Sequence, residues 1–197
     1  MWLMLREAFY WLHKATTRAG WFQAFHLVLF SMSRLLPVPL AIERIRIVAL
    51  WSKESDTMKV MKDARNALEL IRDSDRRRFQ RIRRNVGWIV FGAWKNFGFY
   101  SPFARVCGLR SRPRPDDEQV AAVFFACLLV HEPTHGLLER KRFSYTSKNR
   151  IRLERICLAE EQRFLSRFPK EKPAVQKLLR KKSTTTDPGI ASFHSAQ

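Results

Sequence analysis

A chain of 197 residues suits one domain of ordinary size, and an apolar fraction of 46% supplies the side chains for a core. Its 37 Lys and Arg against 18 acids give a net charge of +19, which favours an anionic partner and leaves open whether that is a phospholipid surface or nucleic acid. Three cysteines with no C-x-x-C exclude a disulfide framework and a zinc ribbon, and point to a reduced, cytoplasmic protein.

Residues 1–50 form an aromatic, amphipathic N-terminal segment. Trp2, Leu5, Phe9 and Leu12 make a helical stripe flanked by Arg6, Glu7, Lys14 and Arg18. The uncharged run from Ala19 to Ser33 falls short of the roughly twenty residues that span a bilayer, and no cleavable signal pattern precedes it. Two readings stay open for this segment: helices packed on the core, or an in-plane helix on an anionic membrane. Pro37 and Pro39 end it, and Ile42 to Trp51 reads as a short helix or strand.

Residues 51–169 are the expected core. Within them, 56–90 reads as a helical hairpin. Asp56 is placed to cap a helix with the stripe Val60, Ala64, Ala67 and Ile71; Ser74 is placed to cap a second with Phe79, Ile82, Val86 and Ile89. Between these apolar positions stand Arg76, Arg77, Arg78, Arg81, Arg83 and Arg84, either a solvated face or a contact for phosphate. Aromatics do not interleave with them, so a stacking platform for single strands is not indicated. Gly98 to Leu109 is the best strand candidate.

Val120 to Val130 is apolar almost all round, as a buried helix is, and Pro115, Asp116, Asp117 and Glu118 suit its start. It runs into His131-Glu132-Pro133-Thr134-His135. Two histidines four apart on a helix share one face and suit two corners of a tetrahedral zinc site. The glutamate between them points to the neighbouring face, where it can polarise a water without ligating the metal. Pro133 inside the helix removes one hydrogen bond and costs about 3 kcal/mol, so a kink is expected there. A further helix from Lys148 to Leu165, capped by Ser147, carries the stripe Ile151, Glu154, Leu158, Glu161 and Leu165. Glu154 on its packed face needs a partner, either a metal or Arg150. Glu160 and Glu161 are alternative carboxylates, and Cys127 and Cys157 alternative thiolates, although a small buried packing residue is the commoner role of such a cysteine. Glu161 lies two turns, about 10 Å, beyond Glu154, so the two cannot share one zinc.

His131-Glu132-x-x-His135, followed after eighteen residues by Glu154, resembles the gluzincin branch of the zinc metallopeptidases, which includes thermolysin and the zinc aminopeptidases. The resemblance covers about residues 116–168. The aminopeptidase signature Gly-x-Met-x-Asn is absent, and Leu158 stands where thermolysin-type enzymes carry an aspartate. What the resemblance implies is an α+β, mostly helical fold with a zincin-like pair of helices, an edge strand that aligns substrate, Zn2+ held by His131, His135 and Glu154, and Glu132 as general base. Tyr145, between the two helices, is a candidate for stabilising the oxyanion, with a surface tyrosine as its ordinary alternative. The expected activity is hydrolysis of a peptide or protein substrate. Its rival is a non-catalytic basic protein, docked on a membrane or nucleic acid, with a structural or degenerate metal site. Residues 170–197 read as a basic, flexible tail, which makes His194 a poor ligand.

Overall fold

The computed structural model describes residues 40–49, 54–92, 98–101, 105–111, 114–143 and 149–186. The expectations for residues 1–39, Ser147, Tyr145 and His194 lie outside them. The chain divides after Pro39, so the second unit opens with a strand instead of at residue 51. Its elements are β1 (Leu40–Ile42), β2 (Ile45–Ala49), α1 (Glu54–Ser74), α2 (Arg76–Asn85), β3 (Trp88–Gly92), β4 (Gly98–Ser101), β5 (Val106–Arg110), α3 (Glu118–Arg140), α4 (Arg150–Leu165) and α5 (Lys172–Thr186). The fold is α+β and mostly helical.

The five strands form one mixed sheet in the order β1-β2-β3-β5-β4. Strands β2, β3 and β5 run parallel, with antiparallel β1 and β4 at the two edges. The register sets Ile47 beside Ile89, Ile89 beside Cys107, and Phe91 beside Leu109. Because side chains alternate along a strand, these residues share one face, and all belong to the main core. Helices α1 and α3 supply most of the rest of that core, with Leu68, Ile71, Phe124, Phe125 and Leu128 fully buried.

Helix α1 starts at Glu54, two residues before Asp56, and its stripe of Val60, Ala64, Ala67 and Ile71 is buried. The cap of α2 is Asp75, whose side chain accepts from the Arg78 amide, whereas Ser74 ends α1 and donates to the Leu70 carbonyl. Asp forms the cap here because its carboxylate satisfies an orphan amide that the helix start exposes. The hairpin stops at Asn85. Val86 is its C-cap and Ile89 belongs to β3, so the last two members of the expected stripe reach the core from the helix end and from a strand. The strand expected over 98–109 is two antiparallel strands, β4 and β5.

Helix α3 begins under Asp117, which accepts from the Val120 amide, and continues through Pro133 to Arg140. Among the described residues it alone is long and apolar enough to cross a bilayer, with a mean hydropathy of 1.4, yet 83% of that window is buried inside the protein. Just before it, Arg114 forks onto the buried Asp63 of α1 and donates to the Pro115 carbonyl, so a buried carboxylate fixes the approach to the helix. Residues 172–186 form α5 where a flexible tail was expected, because Val175 and Leu179, one turn apart, are buried in the main core.

Candidate metal centre

The centre is built where α4 crosses α3. Helix α4 begins at Arg150 behind Asn149, whose side chain forms no cap, so it starts two residues later than expected. Its buried residues are Leu153, Cys157, Glu161, Phe164 and Leu165, while Ile151 is 50% exposed. The packed stripe is therefore rotated from the expected one, and Glu154 sits at its margin.

From there the Glu154 carboxylate reaches both histidines of α3. Its Oε2 lies 3.4 Å from His131 Nε2 and its Oε1 lies 3.6 Å from His135 Nε2. The two Nε2 atoms are 3.3 Å apart, with the rings inclined at 64°. Donors 2.0–2.2 Å from one zinc at the corners of a tetrahedron lie about 3.3–3.6 Å from each other. The observed spacings are close to that edge length, with a different Glu154 oxygen nearest each ring, and two imidazoles with a carboxylate are an ordinary zinc donor set, so the residues present fit the ion.

The far nitrogens of the two rings are also faced. His131 Nδ1 lies 3.0 Å from Oε2 of the fully buried Glu161. Neither Glu161 oxygen has an aligned hydrogen bond, so the imidazole is the polar group set against that carboxylate. His135 Nδ1 lies 3.5 Å from Cys157 Sγ. Cys157 also qualifies by distance as a third ligand, since its sulfur and one nitrogen from each histidine all lie within 4.8 Å of one another. The Glu154 oxygens meet the nitrogens that face each other, whereas the sulfur meets the opposite edge of the His135 ring. A carboxylate or other acceptor at the non-ligating nitrogen orients a metal-bound histidine. Sequence spacing assigned Glu161 no such part. It was hidden because the partner of a ring nitrogen depends on how α4 is rotated.

Glu160 is excluded as a ligand. Its carboxylate accepts from Arg78 at 3.0 Å and Arg163 at 2.6 Å, with Arg81 at 3.7 Å. Burial opposes its ionisation, but the hydrogen bonds and charges of Arg78 and Arg163 outweigh that and hold it below the usual carboxylate range. Cys127 is buried in the main hydrophobic core.

Glu132 is buried on the next face of α3, against edge strand β4. A Cβ at Gly98 would come within 2.6 Å of Glu132 Oε1, so glycine is what lets the strand approach the carboxylate. One turn on, a Cβ at Gly136 would meet the Tyr100 ring at 1.9 Å. Tyr100 donates to the Asn85 carbonyl, and burial pushes its phenol up to about 12, which keeps the proton in place. The site thus has ligand candidates on one side of Glu132 and a sheet edge on the other. Compared with protein-family models, curated proteins and solved structures, the chain matches none.

Proposed function

We propose that the protein is a zinc-dependent hydrolase of peptide or amide bonds. The convergence of His131 Nε2, His135 Nε2 and the Glu154 carboxylate at zinc-ligand spacing carries this reading. A zinc ion held by these three residues supplies Lewis acidity to a scissile carbonyl and to water. Glu132, excluded from the ligand set by its place on the neighbouring face, accepts a proton from the attacking water and returns it to the leaving amine. Glu161 holds the His131 ring, and Cys157 the His135 ring, with their Nε2 atoms turned inward. The edge position of β4 supports an extended peptide as substrate, because an edge strand offers unpaired backbone groups to another strand. The gluzincin-like spacing of the motif agrees with the same reading. Cys107, Cys127 and Cys157 are buried and not joined in disulfides, which favours a reducing compartment such as the cytoplasm.

The test joins metal analysis to activity. The purified chain is expected to carry about one zinc, which His131→Ala and His135→Ala each lose. Glu132→Gln is expected to keep the zinc and lose cleavage of a peptide library, since the amide preserves size but cannot act as base. Zinc retained in both histidine variants, or undiminished cleavage by Glu132→Gln, overturns the assignment.

A further inference from the structure

On the flank of α3 away from the two imidazoles, a cavity of about 710 Å³ opens between α2 and the last turn of α3. Arg76, Arg77, Arg81, Arg84 and Arg140 line it together with Asn85, and no acidic side chain does. Arg76, Arg77 and Arg84 make no ion pair among the described residues. Arg81 has only a 3.7 Å pair with Glu160. Like charges gathered in one concavity repel one another, and an anion bound between them relieves that repulsion.

Asn85 is the second, independent observation. It is 2% exposed, and its Oδ1 accepts from Arg140. That contact directs the amide so that Nδ2 is the remaining donor, and Nδ2 is buried without a partner. An unpaired buried donor costs about 1–3 kcal/mol, and a bound acceptor removes that cost. The backbone carbonyl of Asn85 is itself held by the Tyr100 hydroxyl, so the amide is mounted on a rigid point.

We propose that this cavity is a binding site for a phosphate-bearing ligand, separate from the metal centre. Guanidinium groups match phosphate oxygens two at a time, and a phosphate presents enough acceptors for several arginines and the Asn85 amide together. The concave form favours a compact polyphosphate or a phosphorylated headgroup over the extended backbone of a duplex.

The test uses the full chain, with inorganic pyrophosphate as probe at physiological salt. Saturable binding is expected in calorimetry and is expected to persist in the His135→Ala protein, which separates it from any contact with a metal. Arg77 and Arg84 are exposed, so the Arg77→Gln/Arg84→Gln pair leaves the fold intact. It is expected to weaken binding by at least about tenfold, the scale of lost charge-assisted hydrogen bonds. The control pair Arg142→Gln/Arg152→Gln removes equal charge elsewhere and is expected to change it by about twofold or less. Sedimentation with vesicles carrying phosphatidylinositol bisphosphate, but not with phosphatidylserine vesicles of equal charge, assigns the phosphate to a lipid headgroup if pyrophosphate reverses it. Calorimetric binding without sedimentation assigns it to a soluble ligand. Equal weakening by both pairs, no saturable binding, or duplex DNA binding that pyrophosphate does not displace overturns the proposal.

Discussion

At the scale of single residues, the centre separates three acidic side chains of one helix by the atoms they meet. Glu154 faces two Nε2 atoms, Glu161 faces one Nδ1, and Glu160 is surrounded by arginines. Glu154→Gln is therefore expected to abolish stoichiometric zinc. Glu161→Gln is expected to lower zinc affinity by about 10–100-fold, the range for losing a partner that orients a ligating histidine. Cys157→Ser is expected to retain the metal. Competition against a zinc-responsive chelator measures all three, and zinc lost from Cys157→Ser but kept by Glu154→Gln would make the thiolate the third ligand. Gly98 carries another residue-scale prediction. In Gly98→Ala the new methyl displaces the Glu132 carboxylate, which is the flexible end of a side chain. Turnover is expected to fall at least about tenfold, since small misplacements at a reacting centre are costly, while zinc content is unchanged. Equal loss of zinc and turnover would place Gly98 in the fold and not in the chemistry.

Among elements, α2 is tied to α4 by charge. Arg78 pairs with Asp75 and Glu160, and Arg167 with Asp75, all near the join of the two helices. Burial works against ionisation of Asp75, but hydrogen bonds from the Arg78 amide and guanidinium hold its carboxyl below the usual range, as they do that of Glu160. A carboxylate with a depressed folded value adds stability that is fully present above its unfolded value. That stability is lost as pH falls through the folded value. Chemical denaturation is therefore expected to show a midpoint that declines below the ordinary values of 4.5 and 3.8 for these groups. Arg78→Gln is expected to cost about 3 kcal/mol at neutral pH, with the difference from the parent chain shrinking as acid protonates both partners. A difference constant from neutral pH to pH 3 would exclude this linkage.

The same elements show what was legible beforehand. The run of α3 was readable because it is apolar almost all round and leaves no face to choose, and the stripe of α1 because it admits one buried face. Helix α4 admits two. The expected stripe and the packed one, Leu153, Cys157, Glu161, Phe164 and Leu165, share Glu161 and Leu165 and differ by a partial rotation, and only packing against α3 selects the second. The histidine pair and Glu154 were visible as spacing. The Asn85 amide was not, since its significance depends on Arg140 and Tyr100, far away in sequence. Charge concealed α5, although Pro173 near its start and the Val175–Leu179 repeat carried the signal.

For the whole molecule, α5 belongs to the core. Removing residues 170–197 takes away the buried side chains of Val175 and Leu179. At about 1.5–3 kcal/mol for each side chain, the loss is expected to be roughly 3–6 kcal/mol. Thermal melting of the truncated chain measures it; an unchanged melting temperature would return this segment to a tail.

The burial of α3 also sets an order on synthesis. A nascent helix this apolar is the kind of segment that the insertion machinery of membranes selects. When it leaves the ribosome, α1 and all five strands have already been made, so its hiding place precedes it. Helices α4 and α5 follow, complete the cover with Phe164, Leu165, Val175 and Leu179, and bring Glu154 to the two histidines. The order of elements along the chain thus offers a hydrophobic helix part of its cover at once and completes its polar end last.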